Sequence, residues 1–467
     1  MINLATIDVV LICCYVIVLL SIGFYSTKFS KQTEADYFLA DRSLTLKLFV
    51  MTTVATWYGG ILGIGEFTYR YGINSWIMQG LPYYVFTVAF AFFFAKKIRR
   101  SNLLTIPQKL EQTFNRKVSI TGAILIFLIV SPAPYVLMVG ILLSLLVKIP
   151  LWLAVVMAML FASIYLYNAG FRSDVYTDVM QFILMFIGFG IILVFSIQEL
   201  GTLEYLHSKL PENFLIPFSD IPIEFFLVWF LIGLWTFADP GFHQRSYAAK
   251  NEKVAVYGLV ISVGLWIVFD FLTTSTGLYA KAFLSEVNNP LFSFPLFADK
   301  ILPPIFKGLF VVALLSTVIS TLNSFTFLSS QTLGKDILQR MIKTSGNNSI
   351  HLTKISMVLT SIVSIILAVS IPSVVDLWYS IGSVFMPSLL FPIISSYYPK
   401  IALPSKSTFI QMITVLVITL VYFIISKSKL IDGFEFEPMI FGILFGILFQ
   451  IIGLIKIRGV RSLRQSR

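Results

Sequence analysis

The 467-residue chain is short of charge, cysteine and histidine. Only 12% of its residues are charged, roughly half the share of a soluble domain, which excludes a soluble enzyme and a disordered chain. The two cysteines, Cys13 and Cys14, are adjacent, so they form neither a disulfide framework nor a four-ligand metal site and read as small apolar residues in a helix. Of three histidines only His243 falls within an apolar stretch; a lone histidine near a helix end reads as structural rather than as a proton relay. Gly334-Lys335 lacks the upstream glycine and the following Ser/Thr of a P-loop. No cleavage pattern follows the first apolar run, which is expected to stay as a helix. A membrane enzyme would need a converging nucleophile, base or metal cluster, and a sensor a signalling domain after Lys456; neither is expected.

What the chain has is apolar surface: 57% of its residues, with a mean hydropathy of +0.88. At about 20 residues per bilayer crossing this suffices for roughly thirteen helices and little else. Thirteen apolar runs can be delimited, near 5–26, 45–69, 74–95, 119–147, 150–168, 173–198, 222–245, 254–280, 305–334, 352–371, 374–398, 406–426 and 437–456. An odd number puts the termini on opposite sides. With the N-terminus outside, 26 of the 34 Lys and Arg residues fall on the inside and 8 outside, the bias of a multi-pass protein of a plasma or inner membrane. The net charge of +11 is therefore a topology signal with the lipid bilayer as partner; neither nucleic acid nor an obligatory protein partner is expected.

Two spans are irregular. The second reads Ala55-Thr56-Trp57-Tyr58-Gly59-Gly60-Ile61-Leu62-Gly63-Ile64-Gly65-Glu66, a glycine density that weakens a helix and bares carbonyls, tolerable where a cavity is lined. The seventh carries Trp235 and then Asp239-Pro240-Gly241, where the proline should break the helix. Interrupted helices five spans apart point to a transporter of two inverted halves, spans two to six and seven to eleven, with its site between the breaks.

Candidate polar groups follow from spacing. In the ninth span Thr317, Ser320, Thr321 and Ser324 share one helical face. Such oxygens suit a small hard cation, and they serve equally as polar glue between helices. Asp178 on the sixth span is expected to serve an ion or its pathway, because an unpaired acid in a membrane is costly. Glu66, Asp239 and Asp270 stay open between a functional role and a capping or interfacial one. Trp57, Tyr58, Trp235 and Phe237 gather at the breaks, where they could enclose a solute or simply pack. Gly442 and Gly446 are expected to mediate close helix packing.

Several short stretches, in order and spacing, resemble the sodium:solute symporter family. They are Tyr37-Phe38-Leu39-Ala40-Asp41-Arg42-Ser43-Leu44, where the family has a YFLAGRSL-like stretch; Ala55-Thr56-Trp57-Tyr58-Gly59-Gly60; Thr105-Ile106-Pro107; Thr177-Asp178 with Gln181; Asp239-Pro240 with Gln244-Arg245; and Ser320-Thr321-Leu322-Asn323-Ser324. The resemblance implies an all-α polytopic membrane fold of about thirteen helices, the five-plus-five inverted repeat of the leucine transporter with extra peripheral helices. The expected division is a first helix and loop over 1–44, repeats over 45–198 and 222–398 joined by an outer loop over 199–221, and two peripheral helices with a basic tail over 399–467. It implies sodium-coupled import of a small organic solute by alternating access, without a cofactor. Its shared sodium site carries over to the carbonyls of Ala55, Tyr58 and Thr317 and the hydroxyls of Ser320 and Thr321. A second sodium held by some members carries over to Asp178, Ser320 and Ser324, with Asn323 where those members have serine. Trp57 matches a tryptophan of the choline branch's aromatic cage, but the cage's other tryptophan falls at Asp239. The solute is expected against Trp57, Gly59, Gly60, Trp235 and Asp239, cationic or zwitterionic ahead of a sugar or carboxylate. A proton carried on Asp178 or Asp239 is the alternative coupling ion.

Overall fold

The computed structural model describes residues 2–219, 221–284, 286–342, 348–371, 373–428 and 437–465. Lys343, Lys429 and the side chains of the basic tail from Arg458 lie outside that description. Among the described residues thirteen helices are long and apolar enough to cross a membrane: Thr6–Phe29, Leu46–Tyr71, Asn74–Arg100, Arg116–Val147, Leu151–Ala169, Phe171–Leu200, Phe225–Ala248, Glu252–Phe283, Phe306–Ile342, Asn348–Ser370, Leu377–Tyr397, Ser405–Lys427 and Pro438–Ile457. Each coincides with one expected run. Apolar side chains of the outer helices, such as Ile17, Phe92, Leu160, Ile366 and Ile455, face outward, as lipid contact requires.

The ninth span is the axle of the bundle. Nearly every residue from Gly308 to Gln331 is buried, hydroxyls included, and the sixth span packs along it more extensively than any other pair of helices pack. Close approach explains some glycines here: a Cβ at Gly188 of the sixth span would lie 2.2 Å from the Ala313 Cβ. The start of the ninth span is tied to the first. Asp8 is fully buried and accepts from the amides of Ile305 at 2.8 Å and Gly308 at 2.9 Å, satisfying donors that a helix start leaves free.

Both irregular spans break where expected. The second is helical over Leu46–Trp57, tightens to a 3-10 turn over Tyr58–Gly60 and resumes over Ile61–Tyr71. The seventh runs as a helix over Ile223–Ile232, a 3-10 stretch over Gly233–Phe237 and a fresh helix over Pro240–Ala248. Pro240 stands at the first turn of that new helix, where its missing N–H costs nothing. Gly442 and Gly446 do pack closely: added Cβ atoms would meet Thr419 and Pro387, and the Phe391 ring.

A cavity of about 380 Å³ lies between the breaks. Its lining runs from Thr56 and Arg245 at the depth of the breaks to Phe67, Phe225 and Met439, near the end of the second span and the starts of the seventh and thirteenth. Beyond the breaks in the other direction the chain is sealed. Leu44 and Ala249 form a two-residue parallel bridge, Arg42 donates to the carbonyls of Tyr247, Asn102 and Leu103, and Arg99 donates to Ala249.

Candidate functional site

The first break meets the hydroxyl face of the ninth span. Gly59 is required there, because a Cβ would lie 2.3 Å from the Thr321 side chain. Across this contact the Thr321 hydroxyl donates to the Thr56 carbonyl at 2.5 Å and lies 3.5 Å from the Thr317 carbonyl. One hydroxyl thus sits between backbone oxygens of two helices. The carbonyl it reaches, Thr56, lies between the expected Ala55 and Tyr58. The Thr317 hydroxyl turns back to Leu314 and Ala313, leaving its carbonyl as the group it can offer. Ala55, Tyr58, Thr317, Ser320 and Thr321 are all buried. Neutral oxygens of this kind are hard ligands, matched to a small hard cation.

Beside them lies a buried ionic cluster. Asp178 accepts from Ser320 at 2.5 Å, from Thr56 at 3.3 Å and from Thr52. Ser324 donates to Asp174 instead of Asp178. The reason is a ladder: a step of four residues forward on the ninth span matches four residues back on the antiparallel sixth, so Ser320 meets Asp178 and Ser324 meets Asp174. Arg245 closes the cluster. Its guanidinium bonds Thr56 at 2.5 Å, Ser324 at 3.0 Å and Thr52 at 3.1 Å, and stands 3.6 Å from Asp178 and 3.8 Å from Asp174.

Two expectations are corrected here. Asp178 is not an unpaired acid, since Arg245 faces it. Arg245, one of the 26 cations assigned to the inside, is not a loop residue but is 2% exposed on the half-helix after the second break. Asn323 also leaves the expected group: its amide nitrogen donates to Tyr165, and its oxygen is buried without a partner among the described residues.

The profile of the sodium:solute symporter family matches residues 37–402, most of the chain. The chain belongs to the sodium:solute symporter family. Among curated relatives it is similar to the sodium/pantothenate symporter of Haemophilus influenzae, 23% identical with 91% of each chain covered. It is also similar to the high-affinity choline transporter 1 of Drosophila melanogaster, 25% identical over 84% of this chain and 66% of that one. The sodium/proline symporter of Staphylococcus aureus is 22% identical over 82% and 80%. Among solved structures, a Na+-coupled sialic acid symporter in a substrate-bound outward-open state superposes with a TM-score of 0.83 at 16% identity, over 97% of this chain and 98% of that one. A nucleobase-cation-symport-1 family transporter superposes with a TM-score of 0.62 at 13% identity, over 91% and 95%. The fold of this sodium:solute symporter family member is thus the leucine-transporter type, with thirteen membrane-length helices among the described residues.

The remaining candidates of this family member line the cavity or lie beside it. Trp57 packs edge-on against Tyr83, with ring centroids 4.5 Å apart, and against Phe242 and Trp266. Gly60 is kept small by the Trp378 ring, and Trp235 packs on Gly382. Asp239 caps the half-helix it precedes, accepting from the amides of Gly241 at 2.6 Å and Phe242 at 3.4 Å, and it also lines the cavity. Glu66 pairs with Arg70 at 2.8 Å, one turn along its own helix. His243 bonds the Phe237 carbonyl and packs among Phe90, Tyr247 and Tyr397, a structural role. Sequence reasoning missed Thr52, Thr56, Tyr83, Tyr165, Asp174 and Trp378. For Asp174 a signal existed, since it sits one turn before Asp178 on the same face.

Proposed function

We propose that this protein imports a small organic solute, driven by sodium, through alternating access. The reading rests on one observation above all: the Thr321 hydroxyl ties the break of the second span to the ninth, at the floor of the cavity. Sodium would take the carbonyls of Ala55, Tyr58 and Thr317 and the hydroxyls of Ser320 and Thr321. It would hold the two helices together while the solute enters between the breaks, against Trp57, Gly59, Gly60, Trp235 and Asp239. Asp178 with Ser320, and one turn on Asp174 with Ser324, provides the second sodium position or the exit path. The two inverted repeats are residues 45–198 and 222–398, with 1–44 and 399–467 peripheral and 199–221 as an outer loop, and rocking of the bundle opens the inner side. The protein lies in the plasma or inner membrane with its N-terminus outside. The cavity therefore opens outward, and the sealed end around Leu44 and Ala249 is cytoplasmic.

A cation moving down 100 mV releases about 2.3 kcal/mol, enough for a roughly fifty-fold solute gradient before any sodium gradient is counted. The test is uptake into proteoliposomes under a sodium gradient compared with a pH gradient. Sodium-driven uptake that is lost when Ser320→Ala is combined with Thr321→Ala supports the reading. Uptake that follows pH and survives the double substitution assigns the coupling to a proton and overturns it.

A further inference from the structure

The cavity has a second carboxylate, which the mechanism above does not use. Asp270 lies in mid-helix on the eighth span, so it caps nothing, and it lines the cavity at 8% exposure. Its oxygen accepts from the Tyr84 hydroxyl, and that hydroxyl in turn accepts from the Trp76 indole at 2.9 Å. A donor chain of this order presents Asp270 Oδ2 as a hydrogen-bond acceptor. The backbone makes room for it: a Cβ at Gly80 would lie 2.8 Å from Asp270 Oδ2, from the Tyr84 hydroxyl and from the Trp76 ring. One residue before Trp76, the Ser75 hydroxyl lines the same cavity, is 1% exposed, and has no hydrogen-bond partner among the described residues. The Thr53 hydroxyl is in the same condition on the opposite helix.

The charge balance of the lining is one-sided. Asp239, Asp270 and Glu437 all line the cavity, while Arg245 is the one basic residue among the described residues that do. That guanidinium already faces two carboxylates and donates to three hydroxyls. A free carboxylate on a solute would find no uncommitted cation here. An ammonium group would find Asp270, the unpartnered hydroxyls and the faces of Trp57, Trp76, Trp235 and Trp378. Asp239 is held by two amides of its own helix and Glu437 stands at the outer end of the lining, before the thirteenth span, which leaves Asp270 as the available acid deeper in the cavity.

We propose that the solute is an organic cation, an amine or quaternary ammonium carrying no free carboxylate, and that Asp270 selects it. This rests on the symporter reading above and narrows it. The experiment uses the full chain in nanodiscs, with thermal unfolding followed in sodium chloride against an impermeant-cation control. The probes are choline, putrescine, betaine, proline, pantothenate and glucose. Choline or putrescine should stabilise the protein in sodium while the zwitterions, the anion and the sugar do not. D270N should weaken cation binding at least tenfold and leave the midpoint of sodium-induced stabilisation within about twofold, which also verifies its folding. D270E should retain part of the affinity, and Y84F should lose less than D270N. Silence of both organic cations, stabilisation by pantothenate or glucose alone, or unchanged cation affinity in D270N overturns the proposal. Cation binding that needs no sodium and is unaffected by Thr321→Ala would sink the symporter reading while leaving the Asp270 assignment intact.

Discussion

The two broken helices use opposite chemistry at their breaks. The first half of the second span ends at Trp57 with carbonyls pointing into the site, the negative pole of a helix, and an outside hydroxyl from Thr321 comes to meet it. The fresh helix of the seventh span begins at Pro240, a positive pole, and its own Asp239 already covers it. One break is met by a group from another helix, and the other is closed on itself. What joins them is Arg245, which lies one and a half turns into the second-break helix and bonds Thr52 and Thr56 of the first. The difference teaches that a pair of interruptions at matching positions need not be a pair of equivalent binding groups.

Cutting the link between the breaks should have the largest effect. Arg245→Ala leaves Asp174 and Asp178 buried without their cation and should destabilise the protein by about 3–5 kcal/mol, seen in thermal unfolding in detergent. Arg245→Lys should recover only part, because the three hydroxyls are met by one terminal guanidinium nitrogen, and the shorter lysine side chain stops one bond short of it. Next comes the open break. Gly59→Ala pushes a methyl into Thr321 and should cost about 1–3 kcal/mol, together with sodium-induced protection from proteolysis. If protection survived, the close contact at Gly59 would not be what the cation reads. At the closed break the effect should be smaller and split by chemistry. Asp239→Ala should lose about 1 kcal/mol of stability and Asp239→Asn close to nothing, since asparagine caps as well as aspartate. Equal losses in denaturant titrations would mean that the charge matters there, and the contrast between the breaks would weaken. Glu66→Gln, which removes only a partly exposed pair with Arg70, should change stability by less than about 0.5 kcal/mol.

The spans and both breaks were legible because bilayer length, apolar runs and Gly or Pro interruptions are local properties of the chain. The ninth-span hydroxyl face was legible for the same reason, since its spacing is the helix period. Arg245 was not. It lies in the polar stretch His243-Gln244-Arg245-Ser246, which reads as the edge of a loop, whereas the capped helix carries every residue from Pro240 to Ala249 into the interior. The split of Ser320 and Ser324 between two acids depends on the antiparallel register of two helices some 140 residues apart, which no local pattern encodes. Asp270 was visible as an intramembrane acid, but its neighbours Tyr84 and Trp76 come from another span, and without them capping and function could not be told apart.

Asp8 has a consequence for how the molecule is made. The amide of Gly308, one of the groups it caps, is added 300 residues later. At 5–20 residues per second the first helix waits roughly 15–60 s in the membrane with Asp8 Oδ1 uncommitted, its Oδ2 held by the Ala5 amide. During this interval seven more helices must insert without trapping it, so the last step that makes the ninth span an axle is the arrival of its own start beneath a helix that has stood ready since the beginning of synthesis.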